Sequence, residues 1–192
     1  MKYLTLFIYS ILSLSNIQGQ KIKLTLKPPG PNTYSKAELA QEKKNHNCIH
    51  KNRISFSKIS KQYPYNQTSQ IQLVSFTDRY LPMLNDSVDY SKLSEVKTLN
   101  LKQIDTLTDI LYNVGFGGTI LLIEEMNCYS PRNAILFLNA SGKQFAFLEL
   151  CFECEDFRSS SENIKFGDKC NQKFPMLKKL FKNAGIVHGI ED

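Results

Sequence analysis

The sequence predicts a single α+β domain in which an antiparallel β-meander carries packed helices. Three observations predict it. Residues 70–76 and 143–154 alternate apolar and polar side chains, which is the period of a half-buried strand. Ser141-Gly142, lying between apolar runs at 134–139 and 143–154, has the chemistry of a hairpin turn. Leu101, Ile104, Leu107, Ile110 and Leu111 fall on one helical face, and Leu177, Leu180 and Phe181 do the same near the end of the chain. Hairpin-linked strands with helices to one side make an α+β layer pair.

Taken in order, the chain opens with an expected export signal over residues 1–19. Met1-Lys2 is a charged start, residues 3–14 form an apolar run broken only by Thr and Ser, and polar and small residues follow as far as Gly19. A spanning helix needs roughly 20 apolar residues, so cleavage near Gly19 is expected rather than a transmembrane anchor. The protein is therefore read as exported.

Residues 20–62 form a basic N-terminal segment. Ile22, Leu24 and Leu26 alternate with polar neighbours as in a strand, Pro28-Pro29-Gly30-Pro31 makes a stiff linker, and Ser35 with Glu38 forms a capping box for a polar helix over 36–45. Residues 21–62 hold ten Lys or Arg against Glu38 and Glu42, whereas 63–192 hold thirteen against sixteen acidic residues. Such a segment favours weak, salt-sensitive contact with anionic envelope surfaces. No aromatic residues interleave with the cations in a stacking pattern, so specific nucleic-acid binding is not expected.

Residues 63–192 are assigned to the α+β core, and 42% hydrophobic content is enough to bury one. Alternation also predicts a strand over 53–59, before the one at 70–76. Asn100 with Gln103 starts the first amphipathic helix, and Gly115 is expected to end it. Strands are predicted over 119–126, 134–139 and 143–154. In the last, Ala146, Leu148, Leu150, Phe152 and Cys154 form the core face, and Phe145, Phe147, Glu149, Cys151 and Glu153 the other. A final helix over 174–183 is closed by Gly185.

Few motifs carry chemistry. Val114-Gly115-Phe116-Gly117-Gly118-Thr119 is glycine-rich, but a helix precedes it and a strand follows, the reverse of a phosphate cradle. Asn66, Asn85 and Asn139 fit the glycosylation acceptor pattern. His46, Cys48 and His50 alternate, so on a strand they would share a face as weak transition-metal ligand candidates, short of a fourth donor. No serine or cysteine sits in a nucleophile motif, so no cofactor is expected and an enzyme of unidentified class ranks third.

Cysteine usage is more informative. Cys151 and Cys154 follow an alternating strand among Glu149, Glu153, Glu155 and Asp156, whose charges disfavour a thiolate, so a redox pair is not expected. An extended chain holds positions i and i+3 roughly 10 Å apart, too far for a direct bridge. Two disulfides among Cys128, Cys151, Cys154 and Cys170 are the preferred reading, with 128–151 and 154–170 favoured and Cys48 left over. The alternative is a four-thiolate zinc site built from the same four residues.

Cys128-Tyr129-Ser130-Pro131-Arg132-Asn133, followed by Cys151-Phe152-Glu153-Cys154, resembles a group of uncharacterised exported bacterial proteins, Bacteroidota-like, with a C-x-x-P-R-(N/H) stretch and a later C-F-x-C. The resemblance covers residues 115–190 at most and implies export without implying an activity. Arg132 within it is a candidate for lining an anion pocket. The reading from sequence is an exported, non-enzymatic binding or envelope-associated domain stabilised by disulfides, with a zinc-binding protein as the alternative.

Overall fold

A computed structural model describes residues 34–121 and 128–190 of the chain. The expected signal peptide, the strand at 21–27 and the proline linker lie outside the described residues.

Helix α1 (Lys36–Asn45) is opened by the Ser35–Glu38 capping box, with the Ser35 side chain accepting from the Glu38 N–H. After β1 (Cys48–His50) and the single-turn α2 (Phe56–Ile59) come β2 (Gln70–Phe76), a short hairpin of β3 (Met83–Leu84) and β4 (Ser87–Val88), and β5 (Leu93–Thr98). Helix α3 (Leu101–Tyr112) starts from the Asn100–Gln103 capping box and runs into β6 (Val114–Phe116). The chain continues through β7 (Asn133–Leu138), β8 (Gln144–Cys151), β9 (Asp156–Ser159) and α4 (Lys173–Ala184). Gly185 caps α4 in the left-handed conformation, φ 88°, which glycine adopts without a Cβ clash.

The main sheet has strand order β5-β2-β7-β8-β9 and is antiparallel throughout. Its last three strands are a meander, and a separate β1–β6 pair stands apart from it. On one face Ile71, Leu73, Ile135, Phe137, Leu148 and Leu150 pack with Leu107 and Leu111 of α3 and Leu177 and Phe181 of α4. The even residues of β8 therefore do face the helical core.

The opposite face is not solvent. Val74, Phe76, Ala134, Leu136 and Phe147 are covered by Leu81 and Val88 from the 77–92 segment, so Glu149 and Cys151 are fully buried. Sequence alternation assigned only one covered face. The second cover is a loop and a two-residue-strand hairpin, which carry no periodic signal.

Several element expectations are corrected. Residues 53–59 are not a strand. They join none of the sheets, and Asn113 clamps Ile54 with its amide, accepting from the Ile54 N–H at 2.8 Å and donating to its carbonyl at 3.1 Å. Residues 119–121 form no strand, and 122–127 lie outside the described residues. Asn113, not Gly115, caps α3; Gly115 pairs with Ile49, and a Cβ there would fall 2.5 Å from Asp168 Oδ2. Leu101, expected on the apolar stripe of α3, is 80% exposed. Strand β8 stops at Cys151, and residues 152–155 turn back into β9 with Glu155 at φ 47°.

Residues 34–62 are joined to the rest by β1–β6 pairing and by a disulfide from Cys48 to Cys170. Next to that joint sits Lys173, fully buried, with Nζ donating to the carbonyls of Val114 (2.9 Å) and Phe166 (3.0 Å) and lying over the Phe166 ring. Gly167 is required here, at φ 73°, since a Cβ would fall 2.5 Å from the Leu111 carbonyl oxygen and 2.8 Å from Nζ. Burial pushes the ammonium down from 10.5 to about 8, partly opposed by Asp168.

That shift has a signed consequence. A cation whose folded pKa is depressed is penalised below the folded value, and the penalty is relieved as pH rises from about 8 to 10.5. The full span corresponds to roughly 3 kcal/mol. The Lys173 contribution should thus rise with pH across that window. Urea midpoints measured from pH 7 to 10 should show this slope in the parent protein and lose it in Lys173→Met. Equal slopes in the two proteins would refute the assignment.

Candidate functional site

A groove of about 870 Å³ lies between α1, β6 and the 152–155 turn. Leu39, Phe116, Ile120 and Phe152 give it apolar lining; Glu42, Glu153, Glu155 and Asp156 supply carboxylates against Lys43 and Lys169. Its walls are covalently framed. Cys154, in the lining, is bonded to Cys128, and Cys170, next to the lining residue Asn171, is bonded to Cys48. The Asn171 N–H donates to the His46 carbonyl at 2.9 Å, and Gly117 N–H to the carbonyls of Asn45 and Asn47, so both rims are also tied through the backbone.

Glu42 is the buried carboxylate at this groove. Its Oε1 accepts from the Leu121 N–H at 2.7 Å and stands 3.3 Å from His46 Nε2. His46 meets Phe116 edge-on, with ring centroids 5.5 Å apart. Lys169 pairs with Asp156 at 3.0 Å, leaving Glu153 and Glu155 to set the sign of the rim. The groove is net acidic over an apolar floor.

The disulfides differ from the expected pairing. Cys48–Cys170 spans 122 residues and Cys128–Cys154 spans 26, while Cys151 is a buried thiol. Cys151 and Cys154 are not bonded to each other. The turn at 152–155 carries Cys154 to Cys128, whereas Cys151 remains within the covered sheet opposite Asp156. Cys48 finds its partner because β1 runs beside the 168–172 segment, where its N–H donates to Gln172 Oε1 at 2.6 Å. With these sulfurs in disulfides, Cys128, Cys151, Cys154 and Cys170 do not assemble four thiolates.

His46, Cys48 and His50 likewise do not converge. His46 is the C-cap of α1 rather than a strand residue, the Cys48 sulfur is bonded to Cys170, and His50 Nε2 lies 2.8 Å from Asp109 Oδ2. Burial pushes the Asp109 carboxyl up, but hydrogen bonds from His50 and Asn113 outweigh it and hold the group below its ordinary value. Among the described residues, no group of three His, Cys, Asp or Glu side chains is placed to hold a metal ion. Arg132 spends Nη1 on the carbonyls of Pro131 (2.9 Å) and Asp78 (3.4 Å). Of the acceptor asparagines, Asn139 uses its Oδ1 within the hairpin turn, accepting from the Ser141 and Lys143 N–H groups.

One cluster escaped the sequence reading. The fully buried Glu149 accepts from the Leu81 N–H through Oε1, and from Tyr129 Oη (3.0 Å) and Arg158 Nε (2.7 Å) through Oε2. The Arg158 guanidinium lies 5.5 Å from the Tyr80 centroid and 5.4 Å from that of Phe147, and Tyr80 stacks on Tyr129. Burial and the adjacent carboxylate push the Tyr129 hydroxyl far above its ordinary value, and the Glu149 hydrogen bond raises that of Arg158. The available signal was a carboxylate at the centre of a strand face otherwise apolar, Phe147-x-Glu149-x-Cys151.

Together the fold and these sites define a disulfide-stapled α+β domain with a framed groove. No helix among the described residues is long and apolar enough to cross a membrane. Comparison with protein-family models, with curated proteins and with solved structures found no match.

Proposed function

We propose that the protein is exported and acts as a binding module rather than an enzyme, its ligand entering the groove beside α1. The observation that carries this reading is the framing of that groove by two disulfides, one at each wall. Crosslinks persist in oxidising compartments, and a rigid concavity binds with little loss of conformational freedom. An apolar floor with a net acidic rim suits a cationic ligand bearing an apolar body. The charged start and short apolar run before Gly19 supply the route of export, and the C-x-x-P-R and C-F-x-C resemblance points the same way.

Two measurements test it. Intact mass of protein recovered from a secreting bacterial host is expected to lack residues 1–19, and nonreducing peptide mapping to show 48–170 and 128–154 bonds with Cys151 as the thiol. Retention of the N-terminus, or four free thiols holding about one zinc, would overturn the export and disulfide reading. Benzylamine, followed by NMR, is expected to shift signals of Phe116, Phe152 and His46, with benzoate leaving them in place. Equal responses to the two probes would remove the groove assignment.

A further inference from the structure

We propose that the tip formed by Asp78, Arg79 and Tyr80 is an oxyanion site, with Arg79 and Arg158 as its two prongs, for a phosphate or sulfate group. Arg158 is held by construction. Its Nε is committed to the fully buried Glu149 and its guanidinium carbon lies within 5.5 Å of the Tyr80 and Phe147 ring centroids, yet its side chain remains 49% exposed. A guanidinium has five N–H donors, so fixing it through Nε leaves the outer Nη edge presented to solvent in a defined orientation. Burying Glu149 costs desolvation, and what this cost secures is the position of one exposed arginine.

Arg79 lies 5.4 Å from the same Tyr80 centroid. The two guanidinium carbons are therefore at most about 11 Å apart, both within 5.5 Å of one ring. The acids nearby are already matched: Asp78 pairs with Lys92 at 3.6 Å and Glu149 with Arg158. Arg132 adds a further cation, anchored on the Asp78 carbonyl. Four cations against two carboxylates leave an excess of two positive charges at this tip, which matches the roughly −1.5 to −2 charge of a phosphate group at neutral pH. Planar guanidinium forks suit its oxygens. A membrane surface is the less suited partner, because the excess charge is gathered at one tip rather than spread over a face.

The test is a titration of the intact protein with inorganic phosphate, sulfate and chloride at constant ionic strength, following the arginine Nε–H signals by NMR. Phosphate and sulfate are expected to saturate the Arg79 and Arg158 signals, with chloride giving no saturation. Arg79→Gln, at an exposed position, should bind phosphate about tenfold more weakly while keeping the parent amide spectrum, and Lys179→Gln, at an exposed position of α4, should bind it unchanged. Three results would overturn the site: identical responses to phosphate and chloride, undiminished binding by Arg79→Gln, or adsorption to phosphatidylglycerol vesicles that phosphate does not compete away. None of these depends on the groove beside α1, so this site and that reading fail separately.

Discussion

Replacing Cys48 and Cys170 together with serine is expected to lower the unfolding free energy by about 4–5 kcal/mol, because the bridge closes a loop of 122 residues and long loops lose most entropy when crosslinked. The same replacement at Cys128 and Cys154, which closes a loop of only 26, should cost about 3.5 kcal/mol. The order is the stricter part of the prediction. Cys48–Cys170 also anchors β1 and α1 to the segment leading into α4, so its loss should free the wall of the groove as well as the denatured chain. Urea denaturation of the two double variants gives both numbers. A smaller loss for the 48–170 pair, or a change under about 1 kcal/mol, would show that the β1–β6 pairing holds this region without the bridge.

Glu149→Ala is expected to destabilise the fold by about 3 kcal/mol. Three donors lose their acceptor at once, and the Leu81 N–H is buried where water does not replace it. Removing one partner of a fully buried charged pair costs roughly 3–5 kcal/mol; Arg158 is half exposed and rehydrates, which places the value at the lower end. The substitution carries a spectroscopic signature. The carboxylate is one of the causes that hold the Tyr129 hydroxyl far above its ordinary value, so its removal should bring that titration down. Stability within 1 kcal/mol of the parent, with Tyr129 unmoved, would mean that Glu149 does not organise the 77–82 loop.

Both effects arise where local pattern and tertiary arrangement part company. The capping boxes at Ser35–Glu38 and Asn100–Gln103 were legible because each is a contact between residues three apart, complete within the sequence window that defines it. The same holds for the even core face of β8, the Asn139–Gly142 turn and the glycine closure of α4. Residues 53–59 alternate well, yet they join no sheet and are held instead through Ile54 by the Asn113 side chain. Alternation reports which side chains are apolar, not whether a partner strand has room.

The sequence by itself determined the class of the domain, the two amphipathic helices and the central strands, and left disulfides preferred over a zinc site, since periodicity, caps and cysteine spacing are properties of the chain read locally. Tertiary structure alone decided which cysteines meet. Cys48 and Cys170 lie 122 positions apart in sequence but 5.0 Å apart at Cα, a proximity created by β1 joining β6 beside the start of α4. It also decided that the second face of the sheet is covered, turning Glu149 from an expected surface carboxylate into a buried one that aims Arg158 outward. Pairing and cover depend on loop closure over long separations, and that information resides in the packed chain rather than in any window of it.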